Sequence, residues 1–435
     1  MFRKIIAICS LTIFFDSSAD KYRGASLQKL ENGATVVFVG STKSDSVLVM
    51  LCVSSGSTDE IEKRGVASLL SSIFLKKLKE SVNADSHQYG SESSSYTGYD
   101  QSVYYLYGKA GNLEEFIKNL GVTFSDFAFS IDDLNDSKKI IEQQIVEDQQ
   151  NDKNVVRNEA RKSLYWHSNY GVRISGNLDD LKLISEKNVC DFKKRNYTKD
   201  RVTIIIVGNV DKKSALKSVL KYFGNDKTTS EINRLKEPPH HCSTVRITKN
   251  STQVNVPIIE MYWKIPNYRN QKDNALAAEI FVNYLDEALQ KNLSKRAIAS
   301  MSFCYSFWNY DYGDFCMTIT AKNSDSIEDV ITAVLSEIKY IASEKITEEQ
   351  AKKAAKKLSD STKMFHFDID VLDFVDWVSK KVGSCYDFDF LKSYYDFVGK
   401  FDINKVSEQA KTIFKNDPCV ISIIKPAVDS KKNAN

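Results

Sequence analysis

Two blocks of the chain carry the same succession of patterned segments. In the first, residues 34–39, 46–51 and 202–207 are runs rich in β-branched and apolar residues that read as strands. In the second, residues 256–263, 314–319 and 419–424 read the same way. Helices are signalled between them. From Ser326 onward, Ile327, Val330, Ile331, Val334, Leu335, Ile338 and Ile341 recur three and four apart, as one buried helical face requires. Thr347 with Gln350 forms a capping box that opens a further helix through Ala351, Ala354 and Leu358. The last strand of each block follows a helical stretch, residues 188–195 and 405–414. Strands mixed with long helices in two similar halves predict an α+β fold built by duplication. Turn formers concentrate at residues 228–230, at Pro238 and Pro239, and at residues 250–252, so residues 227–251 read as a linker. It separates an N-terminal domain, 20–226, from a C-terminal domain, 252–428, and residues 429–435 form a polar tail.

The N-terminus has its own pattern. Arg3 and Lys4 precede an apolar stretch from Ile5 to Phe15, and small residues end it at Ser17, Ser18 and Ala19. This is the layout of a secretory signal peptide, with cleavage expected near Ala19. The stretch is shorter than the ~20 residues that span a bilayer, and no later run is long enough, so no membrane span is expected after cleavage. A buried first strand is the competing reading. Export places the mature chain in a compartment such as a bacterial periplasm.

The chain's 435 residues, with 42% hydrophobic and 27% charged, exclude a small module and a disordered chain. A formal charge of +3 and the absence of a basic run give no support to nucleic-acid binding. Seven cysteines follow Ala19, widely spaced and without a C-x-x-C pair, which argues for scattered thiols. The five histidines, His87, His167, His240, His241 and His366, include no pair at helical metal-ligand spacing. Neither a Walker A loop nor G-x-G-x-x-G is present, and the serines at 68, 71 and 72 lack a G-x-S-x-G elbow. Aromatic residues crowd the tract 365–397, most simply as helix-packing core.

A resemblance emerges from ordered motifs. Leu30-Glu31-Asn32-Gly33 with Val36 is similar to an L-x-N-G-x-x-V opening, followed by the turn Gly56-Ser57-Thr58-Asp59-Glu60 and by Gly65-Val66-Ala67. Residues 136–148, the stretch from Tyr165 to Gly171 with Gly176 beyond, and residues 193–198 into Val207-Gly208-Asn209-Val210-Asp211 continue the likeness. Together they resemble the insulinase and mitochondrial-processing-peptidase family. The resemblance implies two duplicated α+β domains, each with a mostly antiparallel sheet, facing each other across a cavity, and in active members an inverted zinc motif, H-x-x-E-H, on a helix. The five corresponding positions here are Ser68-Leu69-Leu70-Ser71-Ser72, so both histidines and the general base are replaced by serine. The family's third ligand, a glutamate, falls at Gln144 in the register anchored on Ile140, Ile141 and Ile145; Glu142 and Glu147 flank it. Hydroxyls and an amide are poor zinc ligands beside imidazole and carboxylate, and without the metal no bound water is acidified towards pKa ~7. No catalytic residue, metal or cofactor is therefore expected in this chain. His167, inside the family's loop, is expected to serve as a structural hydrogen-bonding group. For the family's substrate-holding arginine and tyrosine the likeliest register gives Ser294 and Ser300, with Arg296 and Tyr305 nearby as candidate substrate or interface residues. The reading implied is a non-catalytic subunit that encloses peptide for a zinc-bearing sister chain. A stand-alone exported peptide-binding or scaffold protein is the alternative.

Overall fold

The β-branched runs become the centres of two sheets. The computed structural model describes residues 12–13, 25–40, 45–81, 92–224, 228–229, 243–296, 299–363 and 399–427. The first sheet holds β1 (Thr12–Ile13), β2 (Ala25–Lys29), β3 (Thr35–Gly40), β4 (Ser46–Val53), β5 (Glu92–Thr97), β6 (Ser102–Lys109) and β7 (Val202–Gly208). Their spatial order is β1-β2-β3-β7-β4-β6-β5. The second holds β8 (Val245–Ser251), β9 (Ile258–Ile265), β10 (Ala299–Trp308), β11 (Gly313–Ala321) and β12 (Val420–Pro426), in the order β10-β11-β9-β12-β8. The duplication is explicit in these orders. β3-β7-β4-β6-β5 matches β8-β12-β9-β11-β10, and in each series the first pair is parallel and the others antiparallel.

Helices fill equivalent places. They are α1 (Val66–Ser81), α2 (Leu113–Ser125), α3 (Ile131–Gln150), α4 (Asp152–Leu164), α5 (Leu178–Leu183), α6 (Glu186–Asn196), α7 (Lys212–Phe223), α8 (Tyr268–Arg296), α9 (Ile327–Ser343), α10 (Glu348–Lys363) and α11 (Ile403–Phe414). α1 follows β4 as α8 follows β9, and α2 follows β6 as α9 follows β11. The capping box at Thr347 is made as the sequence implies: its N–H donates to Gln350 Oε1 at 2.9 Å and Gln350 N–H donates to Thr347 Oγ1 at 3.3 Å.

The described residues group into two compact units that a single cut does not separate. Residues up to Gln143, and those from Ile174 to 229, form the first; residues 144–173, 243–363 and 399–427 form the second. In the first unit β4 is buried on both faces, which is why it reads as a continuous apolar run. α1 covers this sheet with Leu69, Leu70, Ile73, Phe74 and Leu78, and Phe74 stacks on Tyr104 with ring centroids 4.0 Å apart.

In the second unit the faces of β9 differ. Ile259, Met261, Trp263 and Ile265 form an apolar face, where Trp263 and Phe281 pack on Phe414 of α11. Glu260 and Tyr262 alternate with them; Tyr262 donates to Glu260 Oε2 at 2.7 Å, and α4 supplies the counter-charge of Glu260. Arg157 donates from Nε and Nη2 to Glu260 Oε1 at 2.9 and 2.7 Å, and Tyr165 donates to Asp314 Oδ1 at 2.6 Å. Arg157 and Arg161 lie four residues apart on one helical face, and Tyr165 caps the end of the same helix. This explains why a helix early in the chain belongs to the second unit. Burial pushes the Asp314 carboxyl above its ordinary range, with Arg161 and then Tyr165 opposing the shift.

One expectation changes. Residues 245–251, assigned to the linker by their turn formers, instead form β8, an edge strand whose exposed side chains alternate with partly buried ones. Thr12 and Ile13 pair with Gln28 and Leu27 on the outer edge of β2. The Pro238–Pro239 turn, His87, His240, His241, His366 and the aromatic tract 365–397 lie outside the described residues. Among the described residues, no helix is long and apolar enough to cross a membrane.

Candidate functional site

The end of β4 and the first turns of α1 form one polar assembly. Gly56 sits where a Cβ would lie 2.4 Å from the Gly98 carbonyl oxygen, so only glycine allows this approach. Ser57 and Thr58 then donate their backbone N–H groups to the Gly98 and Tyr99 carbonyls at 3.1 and 2.9 Å. Asp59 accepts the Gly56 N–H at 3.1 Å and, on its other oxygen, Arg201 Nη2 at 3.1 Å. Arg201 also donates to Asn196 Oδ1 at 2.9 Å. Sequence reasoning missed Arg201; only its place just before the β7 run marked it.

Glu60 caps the helix. Its Oε1 accepts the N–H groups of Gly65 and Ala67 at 3.0 and 2.9 Å, and Oε2 accepts Gly65 again at 3.0 Å. A carboxylate suits the positive end of a helix, but this one is 3% exposed. Burial pushes it from 4.5 up to about 8, against the Ala67 and Gly65 hydrogen bonds and the Arg64 charge. In the unfolded chain it ionises near 4.5, whereas the folded chain holds the proton to about 8. The stabilisation from this proton is therefore complete below 4.5 and is lost as pH rises through 8. Urea unfolding of the wild type is expected to show a loss on the order of 1 kcal/mol per pH unit between about pH 5 and pH 8. Glu60→Gln should flatten that dependence; identical pH slopes in the two proteins would contradict the assignment.

The three serines lie on α1 as the spacing requires. Ser68 is 9% and Ser71 4% exposed, while Ser72 is half-buried. Ser68 Oγ donates to the Ile174 carbonyl at 3.0 Å. Ser71 Oγ is enclosed without a well-aligned partner among the described residues, although it lies near enough to the Tyr104 hydroxyl to oppose that phenol's shift. Burial holds Tyr104 well above its ordinary range, and its hydroxyl pairs with that of Tyr197 at 2.7 Å. Position 71 is thus occupied by a small neutral group over a neutral phenol pair, with no carboxylate to take a proton.

α1 is tied to α3 by ions. Asp133 pairs with Lys76 at 2.9 Å and Lys77 at 2.6 Å, and these lysines, Lys77 foremost, hold its carboxyl below the usual range. Further along α3, Ile141 and Ile145 are buried, whereas Ile140 is 51% exposed, so Ile140 does not anchor the register. Glu142, Gln144 and Glu147 are all exposed. Among the described residues no three His, Cys, Asp or Glu side chains are grouped so as to hold a metal ion. The donor set at 68, 71 and 72 consists of neutral hydroxyls, one already committed to a carbonyl, and does not fit Zn²⁺.

A family model described as insulinase (peptidase family M16) matches residues 35–177, and one described as peptidase M16 inactive domain matches residues 184–358. The chain belongs to the insulinase family. Mitochondrial-processing peptidase subunit beta of Saccharomyces cerevisiae is 24% identical over 364 residues, covering 77% of each chain. An uncharacterized zinc protease of Rickettsia bellii is 22% identical over 345 residues, 78% of this chain and 83% of the relative. In fold, a protease from Helicobacter pylori superposes with a TM-score of 0.78 at 18% identity, covering 92% of this chain and 99% of that one. A peptidase M16 inactive domain from Pseudomonas fluorescens gives 0.76 at 16% identity, over 93% and 98%.

As an insulinase-family chain it departs from expectation in one loop. His167 is exposed beside Trp166, itself 69% exposed, because Tyr165 and Tyr170 take the buried places of this segment. Arg296 ends α8, and Tyr305 lies on β10 in register with Cys316. The side chains of Arg296 and Tyr305 lie outside the described residues.

Proposed function

We propose that this insulinase-family chain is a metal-free, non-catalytic subunit that binds peptide for a zinc-bearing sister chain. The carrying observation is selective replacement: the glycine turn, the Glu60 cap and the helix persist, while hydroxyls stand at 68, 71 and 72. Hydrolysis by the family's route needs a metal to acidify water and a base to receive its proton, and neither is supplied by these groups. Similarity to a relative named as a processing-peptidase subunit supports the subunit part of this reading. Peptide holding has its own support. β5 lies at the edge of the first sheet, where an extended peptide would add as a further strand. The N-terminal Arg3-Lys4 and apolar pattern supports export to a periplasm-like compartment.

The experiment is metal analysis and peptidase assay of the purified mature chain, alone and with a zinc-bearing insulinase-family chain from the same organism. The expected result is no zinc and no activity alone, with a stable complex and faster cleavage when combined. Chelator-sensitive activity of the isolated chain would overturn the reading. Absence of a complex, with peptide still bound, would favour the stand-alone binding role.

A further inference from the structure

Ile174 is the residue at which the chain re-enters the first unit, and it is caught there at once by Ser68 Oγ at 3.0 Å. Two residues on, the backbones of Gly176 and Gly65 cross. A Cβ at Gly65 would meet the Ser175 carbonyl oxygen at 2.6 Å, and one at Gly176 would meet the Arg64 carbonyl oxygen at 2.5 Å. Residues 174–176 therefore form a strap lying against the first turn of α1 at two points. The glycine crossing is backbone on backbone, with no side chain to rotate. The Ser68 bond depends on one χ1 angle and one hydroxyl. Of the two attachments, only the second can open without moving α1.

We propose that Ser68 is a latch: its hydroxyl holds the strap closed over the start of α1, and its release lets the strap swing about Gly176. A position that in a catalytic relative serves a metal here serves a conformational closure. Opening the strap would free the Ser68 hydroxyl, which is otherwise buried at the start of α1. The inference goes beyond the non-catalytic reading and does not require it, because a latch can hold whether or not a sister chain exists.

The test is hydrogen exchange with mass spectrometry on the full chain, comparing wild type with Ser68→Ala, Ser68→Thr and Ser72→Ala. Loss of one hydrogen bond worth about 0.5–1.5 kcal/mol predicts that Ser68→Ala raises exchange in the strap by about two- to tenfold. Ser68→Thr, which keeps the hydroxyl, should restore the wild-type rate, and Ser72→Ala should not alter it. Tryptic cleavage after Arg173 should accelerate in Ser68→Ala by a similar factor. Wild-type exchange in the strap of Ser68→Ala would overturn the latch. So would a uniform rise across the first sheet, which would mark general destabilisation.

Discussion

Replacing Arg201 by methionine is expected to cost the protein about 3–5 kcal/mol of stability, seen as a lower urea midpoint. Arg201 and Asp59 have side chains only 3% and 5% exposed. Removing the guanidinium takes its charged partner from the buried Asp59 carboxylate, which keeps the Gly56 N–H at 3.1 Å, and leaves Asn196 Oδ1 without its 2.9 Å donor. An uncompensated buried charge is far more costly than the loss of an exposed pair. The double variant Asp59→Asn with Arg201→Met removes the buried charge as well and should recover part of the loss. A cost below about 1 kcal/mol for the single variant would show that the pair is solvated, contrary to its burial.

Gly176→Ala is expected to cost about 3 kcal/mol for a different reason. Gly176 has φ +70, where a Cβ carries a penalty of roughly 1–2 kcal/mol. The added methyl would also stand 2.5 Å from the Arg64 carbonyl oxygen and 2.9 Å from the Gly65 nitrogen. Both are backbone atoms, so relief needs the strap or the start of α1 to shift. Gly111→Ala is the control, since nothing lies within 4 Å of its Cβ position. It should change stability by less than about 1 kcal/mol. Equal costs at the two glycines would contradict the crossing.

The contrast between these sites shows what could be read from the amino-acid order. The duplicated sheets were legible because β4, β7, β9 and β12 are central strands whose apolar runs serve local burial. The α9 periodicity and the Thr347–Gln350 cap were legible for the same reason, since each is settled within a few residues. That Ser68, Ser71 and Ser72 share one helix behind the Gly56 turn was legible from the surrounding glycines and the apolar spacing of α1. Less accessible were features that depend on partners far along the chain. β5, with three consecutive serines, has little apolar pattern and is recognisable only through its pairing with β6. α4 reads as a charged surface helix until Glu260 and Asp314 are placed beneath Arg157 and Tyr165. β8 hid among turn formers because an edge strand tolerates polar residues. Ile174 contributes only a carbonyl to the Ser68 bond, and a carbonyl leaves no signature in side-chain order.

The most direct test of the central claim is the zinc content of the chain isolated without chelators, measured as metal per protein by plasma mass spectrometry. Hydroxyl donors at 68, 71 and 72 predict far less than one zinc per chain, unchanged when zinc is added and the excess removed. One zinc per chain, retained through gel filtration and released together with peptidase activity, would contradict the account.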